Sequence, residues 1–109
     1  MFKELIPRNN PKDGPYITYS PKGYLTFNSP ASNKLNQVYG FPDRMNVLID
    51  EDNKIIRFVF CPEGKYKLTL SCGRNYQMSF SYGKRLGVKV GRYKDITWNK
   101  NHLDVRYET

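Results

Sequence analysis

Short stretches that alternate apolar and polar residues, rich in β-branched and aromatic types and each closed by a turn signal, recur along most of this chain. They point to a sheet-rich fold. Tyr16–Ser20 and Tyr24–Phe27 come first, separated by the tight turn Pro21-Lys22-Gly23. Met45–Ile49 and Lys54–Cys61 flank the polar turn Asp50-Glu51-Asp52-Asn53 and read as a β-hairpin. Lys65–Ser71 and Tyr76–Phe80 flank Cys72-Gly73-Arg74-Asn75, and Tyr93–Trp98 and His102–Tyr107 flank Asn99-Lys100-Asn101. Two short helices interrupt the strands. The first spans Pro30 to about Val38: Asn28 or Ser29 can accept a bond from a free helical N–H, and Pro30 suits the first turn. Ala31, Leu35 and Val38 fall on one face, and Gly40-Phe41-Pro42 ends the helix. The second runs through Tyr82–Leu86, capped by Ser79 or Ser81 and stopped by Gly87 or Gly91.

The order of these elements repeats. Strand, strand, short helix and hairpin occur over residues 16–60 and again over 66–107. Identity between the two stretches is low, so the repeat rests on element order and length. The expected fold is α+β and mostly β: two β-β-α-β-β-like copies forming one compact pseudo-symmetric domain over residues 16–109. Residues 1–15 differ. Pro7, Pro11 and Pro15, with Asp13-Gly14 between the last two, make a Pro-rich N-terminal arm. A chain of 109 residues can build one ordinary core without staples. No apolar run approaches the ~20 residues of a membrane helix, and the first residues lack the apolar stretch of a secretory signal. The expectation is a cytoplasmic protein with no membrane partner.

Charge supplies the functional signal. The chain has 18 Lys and Arg against 10 Asp and Glu, a net +8. Residues 1–62 hold 8 basic and 6 acidic side chains, while residues 63–109 hold 10 and 4. A compact basic chain most often meets a polyanion, usually nucleic acid. Arg74, Lys84, Arg85, Lys89, Arg92 and Lys94 form a run that no acidic residue interrupts, and Lys22 and Lys34 join it from the first copy. Arg74 follows Gly73 in a turn, where its guanidinium can project from a hairpin tip and form two parallel bonds to a guanine edge or a phosphate. Lys84 and Arg85 sit on the second helix and can straddle phosphates. Six tyrosines, Tyr16, Tyr19, Tyr24, Tyr76, Tyr82 and Tyr93, can stack unpaired bases or pack a small sheet with hydroxyls at its rim. Packing is the expectation for most of them.

Catalysis finds little support. His102 is the single histidine, Gly83-Lys84 lacks the flanking residues of a phosphate loop, and Asp50, Glu51 and Asp52 diverge along a turn. Cys61, Cys72 and His102 offer three soft ligands at best, too few for a structural zinc site, so no metal or cofactor is expected. In a reducing compartment the two cysteines are expected as buried thiols rather than a disulfide.

Several of these residues carry a resemblance. Gly73-Arg74, Lys84-Arg85-Leu86-Gly87-Val88 and the hairpin Ile96-Thr97-Trp98 with Leu103-Asp104-Val105 resemble the AbrB/MazE/MraZ family of swapped-hairpin DNA-binding domains. Lys22-Gly23-Tyr24, Ser29–Leu35 and the hairpin Val47–Ile56 give the first copy a similar pattern. The first copy departs from it in lacking an Arg after its Gly, and the second in lacking a Pro to open its helix. The resemblance implies a tandem duplication in which the two copies mimic, within one chain, the dimer that such domains form. It implies a small bacterial or phage transcriptional regulator that docks on double-stranded DNA around Arg74, Lys84 and Arg85, and it leaves a homodimer open. Some members of that family pair with a toxin. The alternative is therefore a protein–protein module, such as an antitoxin or a phage-encoded inhibitor of a host protein, with the N-terminal arm wrapping its partner.

Overall fold

In the computed structural model, which describes Phe2, residues 14–71 and residues 73–109, the chain after Gly14 folds as ten strands and two helices. Most of the Pro-rich arm lies outside the described residues, and so does Cys72; Cys61 is a free thiol, half-buried rather than buried as expected. The elements run β1 (Ile17–Tyr19), β2 (Tyr24–Phe27), α1 (Ser29–Tyr39), β3 (Arg44–Asp50), β4 (Ile55–Phe60), β5 (Tyr66–Lys67) and β6 (Thr69–Ser71). They continue with β7 (Asn75–Ser79), α2 (Tyr82–Leu86), β8 (Gly91–Tyr93), β9 (Ile96–Trp98) and β10 (His102–Arg106). The fold is α+β and mostly β, as the alternating pattern predicts. No helix among the described residues is long and apolar enough to cross a membrane.

The strands form two antiparallel five-stranded sheets. The first has the order β6-β7-β2-β1-β8 and the second β5-β3-β4-β10-β9. Local hairpins supply half of each sheet: β1 with β2, β6 with β7, β3 with β4, and β9 with β10. Long-range pairs join the hairpins. Leu25 lies opposite Met78 in the first sheet, and Phe58 lies opposite Leu103 in the second. Two further pairs, β1 with β8 and β3 with β5, finish the sheets.

Two expected strands are each divided between the sheets. Lys65–Ser71 is one strand by its residue types. In the structure β5 belongs to the second sheet and β6 to the first, and the chain crosses at Leu68. Leu68 donates its N–H to the Asp43 carbonyl at 2.8 Å and buries its side chain, so the crossing is anchored. Tyr93–Trp98 behaves in the same way, with β8 in the first sheet and β9 in the second. Each edge strand of one sheet therefore continues into an edge strand of the other. An open sheet edge presents unpaired N–H and C=O groups that invite foreign strands, and this arrangement leaves the outer strands short.

The buried faces of both sheets meet in one core. Phe27 and Phe58 face each other across it with ring centroids 6.1 Å apart, and Tyr19 packs edge-on against Phe80 at 6.4 Å. Asn28 caps α1: its Oδ1 accepts from the Ala31 N–H at 3.1 Å, and Gly40 ends the helix at φ 68. Ala31 and Leu35 are buried as their spacing predicts, but Val38 is 40% exposed. The inward stripe instead uses Ser32 and, one turn beyond Leu35, Tyr39, whose ring lies 4.3 Å from that of Phe60. Ser32 earns its buried place by bonding. Its hydroxyl donates to the Phe27 carbonyl at 3.2 Å and accepts from the Tyr76 N–H at 3.0 Å. Ser81 occupies the capping position of α2 without a side-chain cap bond, and Gly87 ends that helix at φ 74.

Candidate nucleic-acid interface

The two sheets carry very different charge. Residues 14–42 and 69–94 contain the whole first sheet and both helices; they hold eight Lys and Arg and not one Asp or Glu. Residues 43–68 and 95–109, which contain the second sheet, hold seven basic and eight acidic side chains. In the second sheet opposite charges pair. Arg57 grips Asp104 with two bonds of 2.8 and 3.0 Å, and Arg106 approaches Asp95 at 3.7 Å. The eight cations of the segments that lack Asp and Glu are the eight residues that the sequence nominates.

The fold gathers some of them and separates others. Lys22 is exposed in the β1–β2 turn, and that turn packs on the start of α2. Gly23 takes φ 86, accepts the Phe80 N–H at 2.7 Å, and lies so close to α2 that a Cβ there would stand 3.4 Å from the Lys84 Cε and the Ser81 backbone. Lys22, Lys84 and Arg85 thus share one end of the first sheet, all exposed. Lys89 follows at the same end. The Val88 N–H bonds to the Gly83 carbonyl at 2.9 Å, and the Lys89 carbonyl accepts the Tyr93 hydroxyl. Arg92 projects from β8 with its guanidinium 4.8 Å from the centre of the Tyr16 ring. Lys94 stands exposed where the chain crosses between the sheets.

Arg74 and Lys34 lie elsewhere. Arg74 is exposed in the β6–β7 turn, while α2 follows the other end of β7. Five residues of strand separate those ends, about 16 Å at the usual rise. Lys34 lies on α1 with its Nζ 5.0 Å from the centre of the Trp98 ring, a side chain of the second sheet. The expected cluster of Arg74 with Lys84 and Arg85 is therefore a pair of cationic ends with a sheet between them.

The tyrosines divide as well. Tyr19, Tyr76 and Tyr93 are buried, and burial raises the pKa of each. Their hydroxyls are satisfied inside the protein: Tyr19 donates to the Phe80 carbonyl at 3.0 Å and Tyr76 to Asn36 Oδ1 at 2.6 Å. Tyr24 and Tyr82 are 41% and 45% exposed, and each is within two positions of a lysine of the cationic end.

Sequence reasoning missed what lies between the two cationic ends. Register places Thr69, Gln77, Thr26, Thr18 and Arg92 side by side, one from each of the five strands. Their neighbours along the strands, such as Leu25, Phe27, Tyr76 and Met78, are buried, so this row faces outward. Alternation within each strand shows which residues face out. Which strands lie next to each other depends on the long-range pairs, for which no local signal exists.

No family model, no curated protein and no solved structure matches this chain. What the interface can do follows from its own chemistry. It offers exposed cations, neutral donors and acceptors on a broad face, and two exposed aromatic rings.

Proposed function

We propose that the protein is a small nucleic-acid-binding protein that docks through the side carrying the first sheet and α2. The segregation of charge carries this reading. A polyanion meets uncompensated cations on one side and a nearly balanced mix of charges on the other, so the field orients the molecule before contact as well as attracting it. Lys22, Lys84, Arg85 and Lys89 neutralise phosphates at one end and Arg74 at the other, releasing counterions. These contacts set affinity and register, and sequence preference comes from other groups.

The resemblance to swapped-hairpin DNA-binding domains belongs to the same proposal, with a regulator of bacterial or phage type as its biological form. Support for two copies comes from the reciprocity of the pairing. The second strands of the copies, β2 and β7, pair with each other, and so do their last strands, β4 and β10. The first strand of each copy pairs with the third of the other, β1 with β8 and β5 with β3. This reciprocity of strand pairs is what supports the two-copy reading.

The test compares two double charge reversals of equal net change. Lys84→Glu with Arg85→Glu alters the proposed side; Lys65→Glu with Lys67→Glu alters the other. Fluorescence anisotropy with labelled oligonucleotides across a salt series should show affinity falling at least tenfold in the first variant. Its log–log salt slope should lose about two units. Equal losses in both variants would mean that bulk charge, and not this side, does the binding.

A further inference from the structure

We infer that the strand bound is unpaired: the outward face of the first sheet is a platform for single-stranded polynucleotide, with Tyr24 stacking a base and Gln77, Thr26 and Thr18 meeting base edges. The inference rests on the proposal that this side binds nucleic acid, and it specifies which form.

The width of the face favours an unpaired strand over insertion into a duplex groove. Five strands at the usual spacing of about 4.8 Å make a face about 19 Å across, wider than the roughly 12 Å major groove of B-DNA. The helix beside it cannot replace it as a reader, since the five residues of α2 extend only about 7.5 Å. An unpaired strand has no groove to fit. Its bases can splay onto a sheet, stack on aromatic rings and bond through their free edges.

The chemistry of the face suits that ligand. Tyr24 lies opposite Ser79 on β7, on the same outward side as the central row, and is 41% exposed. Thr18, Thr26 and Gln77 place two hydroxyls and an amide at the middle of the sheet, and none of these side-chain groups bonds to another described residue. Each can donate and accept, as base edges require. No charged side chain interrupts them until Arg92 at the far edge, where the guanidinium over Tyr16 gives a second flat cationic surface. Lys84 approaches Gly23, which lies between Lys22 and Tyr24 in the chain, so countercharge for the phosphates of a stacked nucleotide is close at hand. A stacking ring among neutral bonding groups, bounded by cations, recognises bases and backbone together.

The experiment measures anisotropy of labelled oligothymidylate, oligouridylate and a mixed-sequence duplex, matched in phosphate number, with the full chain at one salt concentration. At least one single strand should bind more tightly than the duplex. Tyr24→Ala should weaken single-strand binding about 5- to 150-fold, the effect of losing one stacked base, and leave the duplex unchanged. Tyr24→Phe keeps the ring and should stay within about twofold of the parent. Tighter binding of the duplex, or indifference to Tyr24→Ala, overturns the inference and leaves the proposed function standing. Absence of binding to all three probes overturns both.

Discussion

Two glycines sit where the fold has no space for even a methyl group. A Cβ on Gly64 would run into the backbone of Met45, and one on Gly83 would stand 2.6 Å from the Tyr19 hydroxyl oxygen and 3.1 Å from the Phe80 ring. Backbone cannot move aside as readily as a ring can. Gly64→Ala is therefore expected to cost about 3 kcal/mol and Gly83→Ala about 1–2 kcal/mol, read as the shift in urea-unfolding midpoint. Glu63-Gly64 reads as a turn, but nothing in the sequence marks the close approaches at these two. Gly73 and Gly87 announce themselves as a turn and a helix stop, and they take φ 69 and 74. Gly64 and Gly83 are small because of residues far away in the chain. The same holds at the interface. Eight cations were legible by type, six of them, Arg74 to Lys94, also by the lack of intervening acids, but Lys34 over Trp98 and Arg74 at the far turn were not distinguishable from Lys84.

At the level of elements, Asn28 ties three segments together. Its Oδ1 accepts from the N–H groups of Ala31 and Tyr16 at 3.1 and 3.0 Å, and its Nδ2 donates to the Gly14 carbonyl at 2.9 Å. It thereby caps α1 and fastens the chain entering β1. Asn28→Ala should destabilise the protein by about 2 kcal/mol, the upper range for a lost cap, because Tyr16 also loses its partner. Asn28→Ser restores an oxygen at the cap but cannot reach Gly14, so its cost should fall between, as measured by thermal and urea unfolding. Capping and turn chemistry were readable because they act over a few residues: the helices and all four hairpin turns stand where they were expected. The divided strands were not readable. The residues of Tyr93–Trp98 favour extended backbone throughout, and only the separate partners β1 and β10 split the stretch.

For the molecule as a whole, the aromatic core makes stability depend on alkaline pH. Burial raises the pKa of Tyr19, Tyr76, Tyr93 and Tyr107 above the ordinary 10.0 because a phenolate inside the protein loses its hydration. The folded protein then holds these protons more tightly than the unfolded chain does. Their contribution is complete below pH 10 and is lost as pH rises through 10 toward the higher folded values. Unfolding midpoints measured from pH about 8 to about 11 should stay level and then fall, together with the tyrosinate absorbance change. Opposed sheets of unequal charge also mean that salt should weaken the proposed nucleic-acid binding far more than it weakens the fold, since the fold rests on apolar burial. The pairing of the sheets has one more consequence, for the order of events in folding. During synthesis β1 to β4 emerge with neither β7 nor β10 yet made, so the first half of the chain can form two hairpins but must wait for the second half to complete either sheet. Closure of those distant pairs, costly in chain entropy, sets the pace, and a chain halted after Pro62 should stay open to proteases where the whole protein resists them.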